Sequence, residues 1–157
     1  MRTHQRSGVG AVVLAVGLAL GTPHVAYADA WGETPVRAFD FTFNGVKFSV
    51  PTGFLFGHSI KGQDRTIVRD YASITAFGPA VAQSDFCNWR IDFQYENASG
   101  KVYDTDRGPL NSSCTKYDVE REGLGNRTLP EYGKACAIFY VNGSEQARQC
   151  HFIVKPS

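Results

Sequence analysis

The sequence predicts an all-β domain, a disulfide-stapled antiparallel β-sandwich (Ig-like possible) or small barrel with at most one short helix. Three observations carry this. Apolar residues alternate with polar ones in successive short segments, the period of a half-buried strand. Turn signals rich in Gly and Asn separate those segments every ~8–12 residues. Four cysteines, Cys87, Cys114, Cys136 and Cys150, follow an N-terminal stretch laid out like an export leader, and an oxidising compartment turns an even cysteine count into disulfides.

The leader is expected over residues 1–30. Arg2, His4 and Arg6 are basic, Gly8 to Leu20 is apolar, and Gly21 and Pro23 break the run. Small-x-small cleavage sites follow at Ala26-Tyr27-Ala28 and Ala28-Asp29-Ala30, so the mature chain is expected to begin at Asp29 or Trp31. As a helix the apolar run reaches only ~20 Å, short of the ~30 Å a membrane core demands. Stable membrane insertion is therefore not expected, and the chain reads as secreted. Residues 31–157 then form one domain of about 127 residues, enough for a real core.

Charge excludes some partners. Setting aside Arg2, Arg6 and Asp29, the totals of 16 Lys plus Arg and 15 Asp plus Glu become 14 of each, in no like-charge block. Nucleic acid, which demands clustered cations, is not an expected partner.

The strands follow in order. Phe39, Phe41 and Phe43 alternate with polar residues, as do Val46, Phe48 and Val50, and Asn44-Gly45 between them signals a type I′ hairpin. Phe54 to Ile60 reads as a strand ending in a Lys61–Asp64 turn. Arg65 to Phe77 carries Ile67, Tyr71 and Ile74 at helical spacing, but its Thr, Ile and Val content favours a strand. Cys87, Trp89, Ile91, Phe93 and Tyr95 mark a half-buried strand, with a turn at Glu96–Gly100 and a return strand over Lys101–Thr105. Trp89 sharing a strand with Cys87 suits an Ig-like arrangement, although the Cys–Trp–Cys spacing of antibody domains is absent. Leu110 to Glu131 reads as a polar loop, with room for one helical turn at Lys116–Gly123.

Disulfide pairing can be argued at the C-terminus. If Asn142-Gly143-Ser144 is a three-residue hairpin loop, Val141 faces Glu145 and Cys136 falls opposite Cys150, close enough for a bridge. Cys87 and Cys114 remain as the second pair. The competing zinc reading lacks CxxC-type spacing, so no metal or other cofactor is expected.

No catalytic signature emerges. Only His58 and His151 lie beyond the leader, and neither sits in a recognised motif. Gly57-His58-Ser59 misses the nucleophile-elbow spacing, and Ser113-Cys114-Thr115-Lys116 lacks its companion motifs. Asp104-Thr105-Asp106 resembles a calcium loop but has no Glu at the twelfth position. Asp92 and Asp104 could face one another across a hairpin, a pairing with glycoside-hydrolysis chemistry, but outward-facing charge on a sheet is the default reading. Trp31 and one residue of the run Phe54-Leu55-Phe56 could offer a surface to a sugar or a protein pocket, with core packing the favoured reading of the Phe54–Phe56 cluster. Asn97, Asn111, Asn126 and Asn142 are sequons in predicted loops, and the composition does not fix the host that would decide their glycosylation.

The segments Cys87-Asn-Trp-Arg-Ile-Asp-Phe-Gln-Tyr95 and Tyr132-Gly-Lys-Ala-Cys-Ala-Ile-Phe-Tyr-Val-Asn-Gly143, with Gln149-Cys150-His151, resemble small secreted actinobacterial proteins of unknown function. The resemblance covers under half of the domain and implies export and disulfides. The expected function is a non-enzymatic extracellular binding module whose contact loop includes Asp106, Arg107 and Leu110, in the manner of a protease-inhibitor loop. Its partner would be an extracellular protein or a cell-wall carbohydrate. Two alternatives stand beside it: a small hydrolase using His58 or His151 with Asp92, Asp104 or Asp106, and a ligand-free cell-envelope domain.

Overall fold

In the computed structural model the described residues are 29–77, 84–116 and 119–155. The leader expected over 1–30 therefore lies outside them except for Asp29 and Ala30. The chain is all-β, and no helix occurs among the described residues.

Twelve strands run β1 (Ala30–Val36), β2 (Phe39–Phe43), β3 (Val46–Val50), β4 (Phe54–Gln63), β5 (Thr66–Ala76), β6 (Phe86–Asn97), β7 (Val102–Asp106), β8 (Asn111–Thr115), β9 (Glu120–Glu122), β10 (Arg127–Thr128), β11 (Gly133–Val141) and β12 (Ser144–Ile153). One sheet has the order β1-β4-β5, with β9 and β10 on the far edge of β5. The other has the order β12-β11-β6, with β7 and β8 on the far edge of β6. The β2–β3 hairpin pairs only with itself. All pairings are antiparallel and the sheets do not close, so the architecture is sandwich-like rather than a barrel.

Alternation builds the core. Phe54, Phe56, His58 and Ile60 of β4 point inward, as do Trp89, Ile91, Phe93 and Tyr95 of β6 and Ala135, Ala137 and Phe139 of β11. Phe56 meets Phe139 across the sheets at 5.9 Å, and Phe86 sets its ring edge-on to both Phe54 and Phe139. Such aromatic geometry adds to simple area burial. The Phe54-Leu55-Phe56 run is thus ordinary alternation, with only Leu55 half-exposed on the outer face.

Several expectations change. The Lys61–Asp64 turn is displaced, because β4 continues to Gln63 and the connection is Asp64–Arg65. The polar loop over Leu110–Glu131 is instead three short edge strands that borrow ladder partners from β5 and β6. The helical turn at Lys116–Gly123 is not formed at Glu120–Glu122, which pairs with Tyr71–Ser73 (residues 117–118 lie outside the described set). Residues 66–76 are a strand.

The hairpin between the last two cysteines reaches the expected register by another route. The loop has two residues, Asn142-Gly143, both at positive φ (51° and 82°), the conformation a type I′ turn demands. Val141 therefore faces Ser144, one residue out of the expected register. A β-bulge at Gln146 restores it, so Cys136 does face Cys150. Both expected disulfides are formed, Cys87–Cys114 and Cys136–Cys150.

Candidate functional site

The strands β7 and β8 lie on the same edge of β6, with Asp106 opposite Phe93 and Asn111 opposite Trp89. They are two halves of one edge strand, and residues 107–110 bridge them past Ile91. Pro109 has no N–H to give a ladder, and the Gly108 N–H donates instead to the Asp92 carboxylate at 3.0 Å. Gly108 is required there, since a Cβ would stand 2.1 Å from the Ile91 carbonyl oxygen. Disulfide Cys87–Cys114 fastens the downstream end across β6–β8.

Asp106 fastens the upstream end from inside the fold. Its side chain accepts from Arg121 Nη2 at 2.5 Å and from the Leu124 N–H at 3.1 Å. Arg121 Nη1 also donates to the carbonyls of Asp106 and Ile91, and its guanidinium lies over the Phe93 ring. Arg121 belongs to β9 of one sheet and Asp106 to β7 of the other, so the pair ties the two sheets together. Asp106, expected in the contact loop, is 8% exposed and turned inward to Arg121 and Leu124. Arg107 and Leu110 remain exposed, Leu110 at 56%. The segment therefore has two buried anchors, Asp106 and Gly108, and three exposed residues, Arg107, Pro109 and Leu110.

The expected histidine–carboxylate partnerships do not occur. Asp92 accepts from Arg90 Nε and from Gly108, while Asp104 faces Tyr95 across the β6–β7 ladder and pairs with Arg127. Asp92 and Asp104 thus do not face each other, because Tyr95 and not Asp92 is the β6 residue opposite Asp104. With Asp104 and Asp106 each holding a guanidinium, the calcium-like run has no open oxygen set.

His58 instead meets Asp70, Nε2 to Oδ1 at 2.7 Å, and the Tyr95 hydroxyl donates to Asp70 Oδ2 at 3.0 Å. The other His58 nitrogen faces the Gln149 carbonyl at 3.1 Å. A carbonyl only accepts, so Nδ1 is the donor in that contact. His151 Nε2–H donates to the His58 carbonyl at 2.9 Å, and the two imidazoles stand 4.8 Å apart. Burial, and secondarily the Asp70 carboxylate, raise the Tyr95 hydroxyl well above its ordinary value, which keeps it a donor. Burial pushes His151 below its ordinary value, outweighing the hydrogen bond it makes to the His58 carbonyl, which acts upward.

His58 is 1% exposed and Asp70 and Tyr95 are fully buried, so this cluster is a polar tie between β4, β5, β6 and β12 with no opening for substrate. Buried polar groups demand partners, and every hydrogen-bonding atom named here has one. Asp70, Tyr95 and Arg121 were not singled out in the sequence. Inward parity with Ala72 and Ile74 marks Asp70 once β5 is a strand, but the bulge at Val68 hides the continuation from Ile67. Among the described residues no group of three or more His, Cys, Asp or Glu is placed to hold a metal.

Comparison of the chain with protein-family models, with curated proteins and with solved structures finds no match.

Proposed function

We propose that the chain is a secreted binding module that presents Arg107–Leu110 to an extracellular protein in the manner of a protease-inhibitor loop. The observation that carries the reading is the anchoring along this edge: Asp106 and Gly108 pinned beneath, Arg107, Pro109 and Leu110 exposed. A protease cleft takes its ligand as an extended strand. A segment already extended, and held at both ends, avoids much of the ordering cost of binding. Arg107 supplies a basic specificity residue and Leu110 an apolar one.

The disulfides fit an oxidising, extracellular location, and the leader pattern supplies the route there. The test is inhibition of a trypsin-like and a subtilisin-like protease by the disulfide-bonded protein. Inhibition at micromolar concentration or below, weakened by Arg107→Ala or Leu110→Ala, supports the proposal. Absence of inhibition at micromolar protein against both classes overturns it.

A further inference from the structure

We propose that the outward face of the β1–β4–β5 sheet is a binding site for a neutral polysaccharide, with Trp31 as its stacking surface. The face lies on the sheet opposite the one that carries Arg107–Leu110 and is independent of that reading.

Register places the residues. Trp31, Ser59, Tyr71 and Glu122 stand side by side on β1, β4, β5 and β9, and Glu33, Gly57, Ser73 and Glu120 form the next row. Strands lie ~4.8 Å apart, so the Trp31 and Tyr71 backbones are separated by ~10 Å across a floor of small residues. Trp31 is 69% exposed, a large ring left in water beside that floor. The Glu33 side chain lies over Gly57, its Oε1 3.8 Å from where a Cβ would stand. The Tyr71 hydroxyl donates to Glu120 at 2.6 Å, Arg69 pairs with Glu122, and Arg69 covers one face of the Tyr71 ring. Trp31 is therefore the open aromatic surface, and Tyr71 offers its edge and hydroxyl.

The chemistry selects the ligand class. The C–H face of a pyranose ring stacks on an indole, and carboxylates accept strongly from hydroxyl groups. The cations on this face, Lys61 and Arg69, are outnumbered by Glu33, Glu120 and Glu122, so a polyanion meets net repulsion. A neutral chain rich in hydroxyls meets stacking and acceptors without a charge mismatch.

The experiment is retention of the disulfide-bonded protein on insoluble cellulose, chitin and starch, read alongside tryptophan emission with soluble fragments of the same glycans. Of the two tryptophans, Trp89 is 5% exposed, so a ligand-dependent shift reports on Trp31. Trp31→Ala should lower retention tenfold or more. Gly57→Val should do the same by filling the floor, since its Cβ meets only ordinary contacts of 3.7 Å and beyond. Arg107→Ala should leave retention unchanged. No retention on any of the three glycans overturns the proposal, as does retention indifferent to both Trp31→Ala and Gly57→Val. Binding confined to an anionic polymer or to a protein overturns it equally.

Discussion

Arg121 of β9 holds Asp106 of β7 across the two sheets, through the carboxylate at 2.5 Å and through the Asp106 carbonyl at 2.8 Å. Both side chains are largely withdrawn from water, at 12% and 7% exposure. Removing one partner of such a pair strands the other and costs about 3–5 kcal/mol when burial is complete, less here in proportion to the remaining exposure. Arg121→Ala is therefore expected to destabilise the fold by about 2–4 kcal/mol in chemical denaturation. It should also speed backbone hydrogen exchange at Arg107, Gly108 and Leu110. Unchanged exchange there would show that the loop is held by other means.

Gly108→Ala tests the same anchor from the backbone side. The added methyl meets the Ile91 carbonyl oxygen, so the backbone must shift. The loop must lift, breaking the hydrogen bond from Gly108 to Asp92. The expectation is a loss of about 1–3 kcal/mol, the range for a buried acceptor deprived of its donor. Differential scanning calorimetry checks it, and a melting temperature equal to the parent's would contradict it.

The disulfides contribute through the unfolded chain. Their sequence separations of 27 and 14 correspond to about 3–4 kcal/mol each in the chain-entropy account. Replacing Cys87 and Cys114 together by Ser should cost that much and loosen β8 as well, because β8 is a short edge strand. Replacing Cys136 and Cys150 should cost a similar amount while leaving β8 protected. Peptide mapping without reduction gives a separate check: a Cys136–Cys114 or Cys136–Cys87 linkage would contradict the observed pairing.

His151 makes stability depend on pH. Burial lowers its value from the ordinary 6.5, so the unfolded chain takes up the proton first as pH falls. The stability tied to neutral His151 is complete above about pH 6.5, declines below it, and is gone once the folded-state value is passed. The groups facing it are His58 on β4, whose backbone carbonyl raises the value while its ring lowers it, and Asp70 on β5, which raises it; burial outweighs them. His151→Gln keeps a donor for the His58 carbonyl and removes the titration. Denaturant midpoints between pH 7.5 and 5 should fall less steeply for the variant, and parallel curves would contradict the assignment.

Much of the scaffold was legible because alternation and turn chemistry are local. Asn44-Gly45 fixes its hairpin through two positive φ residues, and Phe86–Asn97 shows its buried face residue by residue. The edge strands β8, β9 and β10 were not legible, since Ser113, Glu120 and Thr128 carry no apolar alternation and pair only because β5 and β6 offer free edges. Bulges escaped for a related reason. Gln146 and Val68 each add one residue to a strand, a choice made by cross-strand partners rather than by the residue itself. At the candidate loop the sequence located Arg107 and Leu110 on the surface but placed Asp106 with them. Its burial depends on Arg121, fifteen residues away and on the other sheet.

The most direct measurement of the central claim is an exchange of specificity at one residue. Arg107→Leu keeps the anchors at Asp106, Gly108 and Cys114 and changes only the presented side chain. The account predicts that the parent protein inhibits a trypsin-like protease and that the variant loses this tenfold or more while gaining inhibition of a protease with an apolar specificity pocket. Equal inhibition constants for parent and variant against both enzymes would contradict it.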